Sequence, residues 1–357
     1  EGPSGFDHVI CEATYGNRER ERVSIEERRA LLEAEVMAAR ARGGNLVIPI
    51  FALERTQELL LDLDTLIDQG RIPGTHVFVD SPLANRITGV FERYATELED
   101  TGRHNIFDNP LFHFVTDVAE SIRLNAITGA VIMAASGMCE AGRIRHHLLS
   151  NLHRSRSTIL FVGFQAQGTL GRVILEGAKA VRISGNDVRV RAQIRQIDSY
   201  SAHADQAELL EWIKERGPIA GSLFLDHGES GAIEELRKLA QSQSLAPSIL
   251  VPEIGEVYEL RSGEAARRTR TGNPELQQAI GRDPGIEQAG CASVQCRQGW
   301  RHRGAVGQRL PGGVQGQVQG PAGRAPRQRT LVIAGWPGTT PLTAGMLTQG
   351  LAQAPDR

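Results

Sequence analysis

Short apolar runs alternate with longer amphipathic stretches along residues 1–262. HVICEA (8–13), NLVIPI (45–50), HVFVD (76–80), AVIMAA (130–135), TILFVG (158–163), 222–226 and 248–252 each form a brief apolar block bounded by turn residues. That pattern predicts strands buried on both faces. SIEERRALLEAEVMAARARG begins at a capping-box pattern, Ser24 with Glu27, and runs as a helix to Gly43–Gly44. Further helices are predicted over 53–69, 83–97, about 140–151, 205–215 and 231–242. VRVRAQIRQI (188–197) alternates apolar and polar residues, as an exposed antiparallel strand would. Strands alternating with helices predict an α/β fold whose sheet is covered on both faces.

The pattern stops near Gly263. GQRLPGGVQGQVQGPAGRAPRQR has no period and is rich in Gly, Gln, Pro and Arg, so it cannot bury enough apolar surface to offset its ordering entropy. LVIAGWPGTTPLTAGMLTQGLAQ (331–353) is more apolar but too short and Gly-rich for a domain. The expectation for 263–357 is a low-complexity tail, either a disordered basic arm or a non-native translation such as one downstream of a frameshift.

Charge marks the same boundary. The 357 residues carry a formal net charge of −2, yet residues 263–357 hold 12 Arg, no Lys and 5 acids, leaving −9 for residues 1–262. A generally basic, nucleic-acid-coating surface is therefore not expected, and any polyanion would be confined to a groove. No run of 18 apolar residues predicts a membrane span, and the first residues lack the basic and apolar regions of a signal peptide. Four cysteines without a CxxC pair give no disulfide framework, so a cytoplasmic chain with reduced thiols is expected.

Several segments share one design of strand, tight small-residue turn and helix start. AASGMCEAGR (134–143) holds Ser136, Gly137, Met138 and Arg143; VGFQAQGTLGR (162–172) holds Gly168; VDSPLANR (79–86) holds Ser81; IFALERTQELL (50–60) holds Arg55. Small residues let a ligand approach the backbone, and unpaired helix-start N–H groups favour an anion. A single such turn normally exists only to turn the chain; four in one chain point to a polyanionic substrate. Among titratable groups, Glu12 ends the first strand, while His203 (in YSAHADQAELLEWI) and His227 (in LFLDHGES) lie at strand–helix junctions. A carboxylate beside an imidazole raises that group's pKa and orients it as a general acid. A lone histidine is more often a hydrogen-bonded structural residue. Adjacent His146 and His147 point about 100° apart on a helix, so they read as structural or surface residues rather than a metal pair.

Together, CEATYGNRER, IPIFALERTQELL, VFVDSPLANRITGVF, ASGMCEAGRIRHHL, LFVGFQAQGTLGR, DSYSAHADQAELLEWI and LFLDHGES resemble, in order, the motifs of the beta-CASP ribonucleases of the metallo-β-lactamase fold. The resemblance covers about residues 6–260 and is closest to the bacterial RNA-processing type. It implies a beta-CASP α/β domain with a parallel-rich sheet (18–190), inserted in a metallo-β-lactamase αββα fold represented by 1–17 and 191–262. It implies Glu12 as the acidic residue that orients a general acid, His203 as that general acid, and His227 as a ligand to one of two Zn²⁺ ions. It also implies RNA as partner, no membrane association, and RNA-backbone contacts for Arg55, Ser81, Ser136, Gly137, Met138, Arg143 and Gly168; a homodimer is left open.

The family's HxHxDH metal motif is nowhere in the 357 residues. The expectation is thus an N-terminally truncated nuclease, inactive alone, since catalytic zinc needs about three protein ligands. The competing reading is a non-catalytic RNA-binding or scaffold module. A nucleotide cofactor ranks last, because the chain has neither GxGxxG nor GxxxxGK[ST] and only three lysines.

Overall fold

A computed structural model describes residues 2–95 and 109–271, together with the backbone of 292–296 and 329–335. The chain divides into two compact units. One is Arg20–His203; the other joins Glu1–Glu19 to Ala204–Arg357. In chain order the elements are β1 (His8–Glu12), α1 (Ile25–Ala41), β2 (Leu46–Pro49), α2 (Arg55–Asp68), β3 (Val77–Val79), α3 (Pro82–Arg93), β4 (Phe112–Phe114) and α4 (Val118–Arg123). There follow β5 (Val131–Ala134), α5 (Ile144–Asn151), β6 (Thr158–Phe161), α6 (Leu170–Leu175), β7 (Ala180–Ile183), β8 (Asn186–Arg189) and β9 (Gln193–Gln196). The chain then runs through α7 (Gln206–Glu215), β10 (Ser222–Asp226), α8 (Ser230–Ser242), β11 (Ser248–Leu250), β12 (Val257–Leu260), β13 (Arg267–Arg270), β14 (Ala292–Cys296) and β15 (Arg329–Gly335).

The fold is mixed α/β. In the Arg20–His203 unit, six described strands form one sheet in the order β4-β3-β5-β2-β6-β9, and every neighbouring pair is parallel. Successive residues of a strand point to opposite faces, and here both faces are covered. Leu46, Ile48, Val131, Met133 and Leu160 join Leu32 and Val36 of α1 and Leu59, Leu60, Leu63 and Leu66 of α2 in one core. Val47, Ile132, Ala134, Ile159 and Phe161 join Ile144 and Leu148 of α5 and Ile174 of α6 in the other. This is why the central strands read as unbroken apolar runs. The capping box expected at Ser24 is present: its hydroxyl accepts from Glu27 N, and the Glu27 carboxylate accepts from Ser24 N.

The unit that joins residues 2–19 to 204–271 is built around β1-β10-β11, a parallel trio among the described strands. Val9, Cys11, Leu223 and Leu225 pack on Leu209 and Ile213 of α7 and Leu236 and Ala240 of α8. β12 pairs antiparallel with β13 and with β15, which in turn pairs with β14.

Two sequence expectations are corrected here. The stretch 188–197 is not one antiparallel strand. β8 pairs antiparallel with β7, then Arg191 and Ala192 donate to Leu152 O, and β9 runs parallel to β6. Alternation reveals exposure on one face, but not a partner or its direction. The break placed at Gly263 falls inside the β12–β13 hairpin, so ordered pairing continues through Arg270. The remaining tail expectation, at 272–291, 297–328 and 336–357, lies outside the described residues. So do residues 96–97 of the helix expected over 83–97, whose described part ends at Arg93.

Candidate functional site

The expected site residues fall into two sets, one in each unit. In the Arg20–His203 unit, Arg55 follows β2, Ser81 follows β3, Ser136–Met138 and Arg143 follow β5, and Gly168 follows β6. Because these four strands are parallel, all seven residues lie at the carboxyl edge of one sheet, where α/β proteins place ligands. Most also have structural partners. Ser81 is the N-cap of α3 and accepts from Ala84 N. Gly137 leaves room for the Phe51 ring, which a Cβ would approach to 2.5 Å. The turns of 134–143 and 162–172 interlock: Gln165 Nε2 donates to Gly137 O at 3.0 Å, and Gly171 N donates to Met138 O at 3.1 Å. Arg55 pairs with Glu58.

Arg143 is held most firmly. Its Nη1 donates to Asp80 Oδ1 at 2.6 Å and its Nη2 to Thr116 O at 2.9 Å. Asp80 also receives Ser121 Oγ at 2.6 Å and lies 2.6 Å from His147 Nε2, with the Asp80 and His147 side chains 0% and 1% exposed. Burial pushes the Asp80 carboxyl up, but the bonds from His147, Ser121 and Arg143 outweigh it and hold the group below the usual range. His147 is thus structural and His146 exposed. The sequence reading missed Asp80, an acid closing a wholly apolar strand.

The other set is compact. Glu12 ends β1 and stands in register with Asp226, which ends β10, with His227 next. His227 has φ 52°, uncommon for a non-glycine residue. Its carbonyl accepts from Ala13 N at 3.3 Å and from Thr14 Oγ1 at 3.1 Å, which pins the turn onto the end of β1. Gly228 permits that approach, since a Cβ there would lie 2.5 Å from Ala13 O. Thr14 N donates to Glu12 Oε2 at 2.8 Å, Thr14 Oγ1 lies 3.0 Å from His227 Nδ1, and Glu12 Oε2 lies 3.9 Å from that same nitrogen. Thr14 and Asp226 were not singled out in the sequence. Thr14 follows Glu12 by two residues but bonds a residue 213 positions away. Burial raises the Asp226 carboxyl to about 6.

His203 ends the Arg20–His203 unit, and its carbonyl accepts from Arg20 Nη2 at 2.7 Å. Asp205, two residues on, caps α7 through a capping box with Glu208 and forms a parallel bridge with Tyr15. Gln206 N donates to Arg18 O at 3.0 Å. The chain that follows His203 is therefore fastened to the segment that follows Glu12.

An imidazole gripped at Nδ1 beside a carboxylate suits one side of a zinc centre. These two donors fall short of the three that catalytic zinc ordinarily takes from protein.

An α/β protein with a helix-covered parallel sheet and this carboxylate–imidazole pair at strand ends can be matched to known families. The Beta-Casp domain family matches residues 56–174, and the Zn-dependent metallo-hydrolase RNA specificity domain family matches 187–250. Ribonuclease TTHA0252 of Thermus thermophilus is 35% identical over 246 residues, 66% of this chain and 55% of that protein. Transcription termination factor FttA of Methanosarcina mazei is 30% identical over 241 residues, 64% of this chain and 38% of that protein. An RNase J-like protein of Methanocaldococcus jannaschii is 31% identical over 230 residues, 63% of this chain and 52% of that protein. The chain belongs to the beta-CASP family of the metallo-β-lactamase fold. It spans about half or less of the length of these relatives.

Proposed function

We propose that this chain carries part of the machinery of a zinc-dependent RNA phosphodiester hydrolase. The supporting observation is the Glu12–Thr14–His227 constellation at the strand ends of a unit that overlaps the RNA specificity match. The names of two relatives, a ribonuclease and an RNase J-like protein, favour the same reading. In this reading 18–190 is the beta-CASP domain, and 1–17 with 191–262 belongs to the metallo-β-lactamase-type part.

His227 would be one metal ligand. The chemistry zinc supplies in such a centre is neutralisation of phosphate charge and activation of water. His203 would hold the proton that the leaving oxygen of the RNA takes, and Glu12 would orient the donor. The carboxyl-edge turns, with Ser81, Ser136, Gly137, Met138 and Gly168, would lie along the RNA backbone, beside Arg55 and Arg143, which are paired with Glu58 and Asp80.

The test is metal analysis together with RNA cleavage, made on this chain and on the product of its whole reading frame. His227→Ala should lower bound zinc; unchanged zinc content overturns its assignment as ligand. His203→Ala should cut turnover by about 10²–10⁴-fold with little loss of RNA affinity. Equal loss of both would count against a general acid. The second reading is a non-catalytic RNA-binding or scaffold module. RNA binding without cleavage or stoichiometric zinc in the whole product would establish it.

A further inference from the structure

We propose that Thr14 is a positioning residue that fixes His227 in the tautomer protonated on Nδ1, so that Nε2 carries the lone pair. Two separate observations point to this. First, Thr14 Oγ1 donates to His227 O at 3.1 Å while lying 3.0 Å from His227 Nδ1. A hydroxyl has one proton, and a carbonyl can only accept. With that proton on the carbonyl, the contact at Nδ1 is a hydrogen bond only when the ring N–H donates to Oγ1. Second, Glu12 Oε2 lies 3.9 Å from Nδ1. A carboxylate attracts an N–H and repels a ring lone pair.

The geometry is held from both sides. Thr14 N–H bonds Glu12 Oε2 at 2.8 Å and keeps the carboxylate near Nδ1. The left-handed backbone of His227, φ 52°, turns its carbonyl to where the Thr14 hydroxyl and Ala13 N–H reach it. One residue thereby ties the carboxylate, through its backbone N–H, to the ring and the ring's own carbonyl, through its hydroxyl. A histidine that ligates a metal through one nitrogen ordinarily donates from the other to an oxygen acceptor. Here that acceptor is a threonine hydroxyl. The proposal rests on the reading above for what meets Nε2, but the tautomer itself does not depend on it.

The experiment is ¹⁵N NMR of the chain labelled at histidine ring nitrogens, at a pH where the rings are neutral. The His227 signals are assigned by their loss in His227→Gln. The expected result is Nδ1–H in the native chain and in Thr14→Ser, with loss of that preference in Thr14→Val, which keeps shape but not hydroxyl. Zinc titration of the product of the whole reading frame should show Thr14→Val weakened by about 10–100-fold and Thr14→Ser near native. An Nε2–H tautomer in the native chain overturns the proposal without any variant. So does an unchanged tautomer in a folded Thr14→Val. If Thr14→Val does not fold, the native and Thr14→Ser spectra still decide. Should His227→Ala leave zinc binding unchanged while the tautomer follows the Thr14 hydroxyl, the metal assignment fails and the positioning role stands.

Discussion

The two units each contain a histidine, a carboxylate and a hydroxyl-bearing residue linked in one polar group, and the difference between them separates a closed arrangement from an open one. In one, Asp80, His147 and Ser121 are joined by Arg143, and the carboxylate and imidazole are 0% and 1% exposed. In the other, Glu12, Thr14 and His227 meet with side-chain exposures of 16% for the carboxylate and 27% for the imidazole. The first is a sealed polar knot beneath the sheet edge. The second stands where a reactant can reach it. Residue types alone would have nominated both.

The largest effect should come from breaking the sealed knot. Asp80→Ala leaves a guanidinium and a buried imidazole without their anion. The loss should be about 3–5 kcal/mol of folding stability, read by denaturant unfolding. A loss under about 1 kcal/mol would mean that water or another acceptor reaches Arg143 and His147, and the contrast between the two constellations would weaken.

The same knot predicts a pH response. The Asp80 pKa is lower in the folded chain than its ordinary value of about 3.9. A depressed carboxyl stabilises the fold fully above its unfolded value and loses that contribution as pH falls through the folded one. Native stability should therefore drop on acidification below about pH 4. Asp80→Asn should start less stable and lose less over that range. Parallel acid curves for the two proteins would show that Asp80 does not carry the transition.

A smaller change is expected at Ser121, which gives Asp80 one of three side-chain bonds. Ser121→Ala should cost about 1 kcal/mol, because His147 and Arg143 still satisfy the carboxylate. Thermal unfolding would show it, with RNA binding unaltered. A cost near that of Asp80→Ala would mean that the serine organises the knot rather than completing it.

What the sequence revealed follows from the range of each interaction. The central strands of the parallel sheet were legible because burial on both faces leaves runs such as LVIP and VIMA with no polar residue to interrupt the reading. α1 was legible because its capping box joins residues only three positions apart, Ser24 and Glu27. β4, with three residues, and β7, with four, are too short to show a period. Glu12, His203 and His227 were singled out through the motifs around them. Thr14 and Asp80 were not, since their roles arise from partners 213 and 67 positions distant. A hydroxyl two residues after a strand-end acid was the available sign of Thr14, and an acid closing an apolar strand that of Asp80.

The smallest effect on stability, and the sharpest on function, is expected at Glu12. Glu12→Gln keeps a carbonyl oxygen able to accept from Thr14 N, so the end of β1 retains its turn. The residue is partly exposed, so folding stability should stay within about 0.5 kcal/mol of native. What disappears is the negative charge 3.9 Å from His227 Nδ1. RNA cleavage by the product of the whole reading frame should fall with it, while RNA affinity changes little. If Glu12→Gln instead destabilises the chain as Asp80→Ala does, the open constellation is a second structural knot, and chemistry must be sought elsewhere along the carboxyl edge of the sheet.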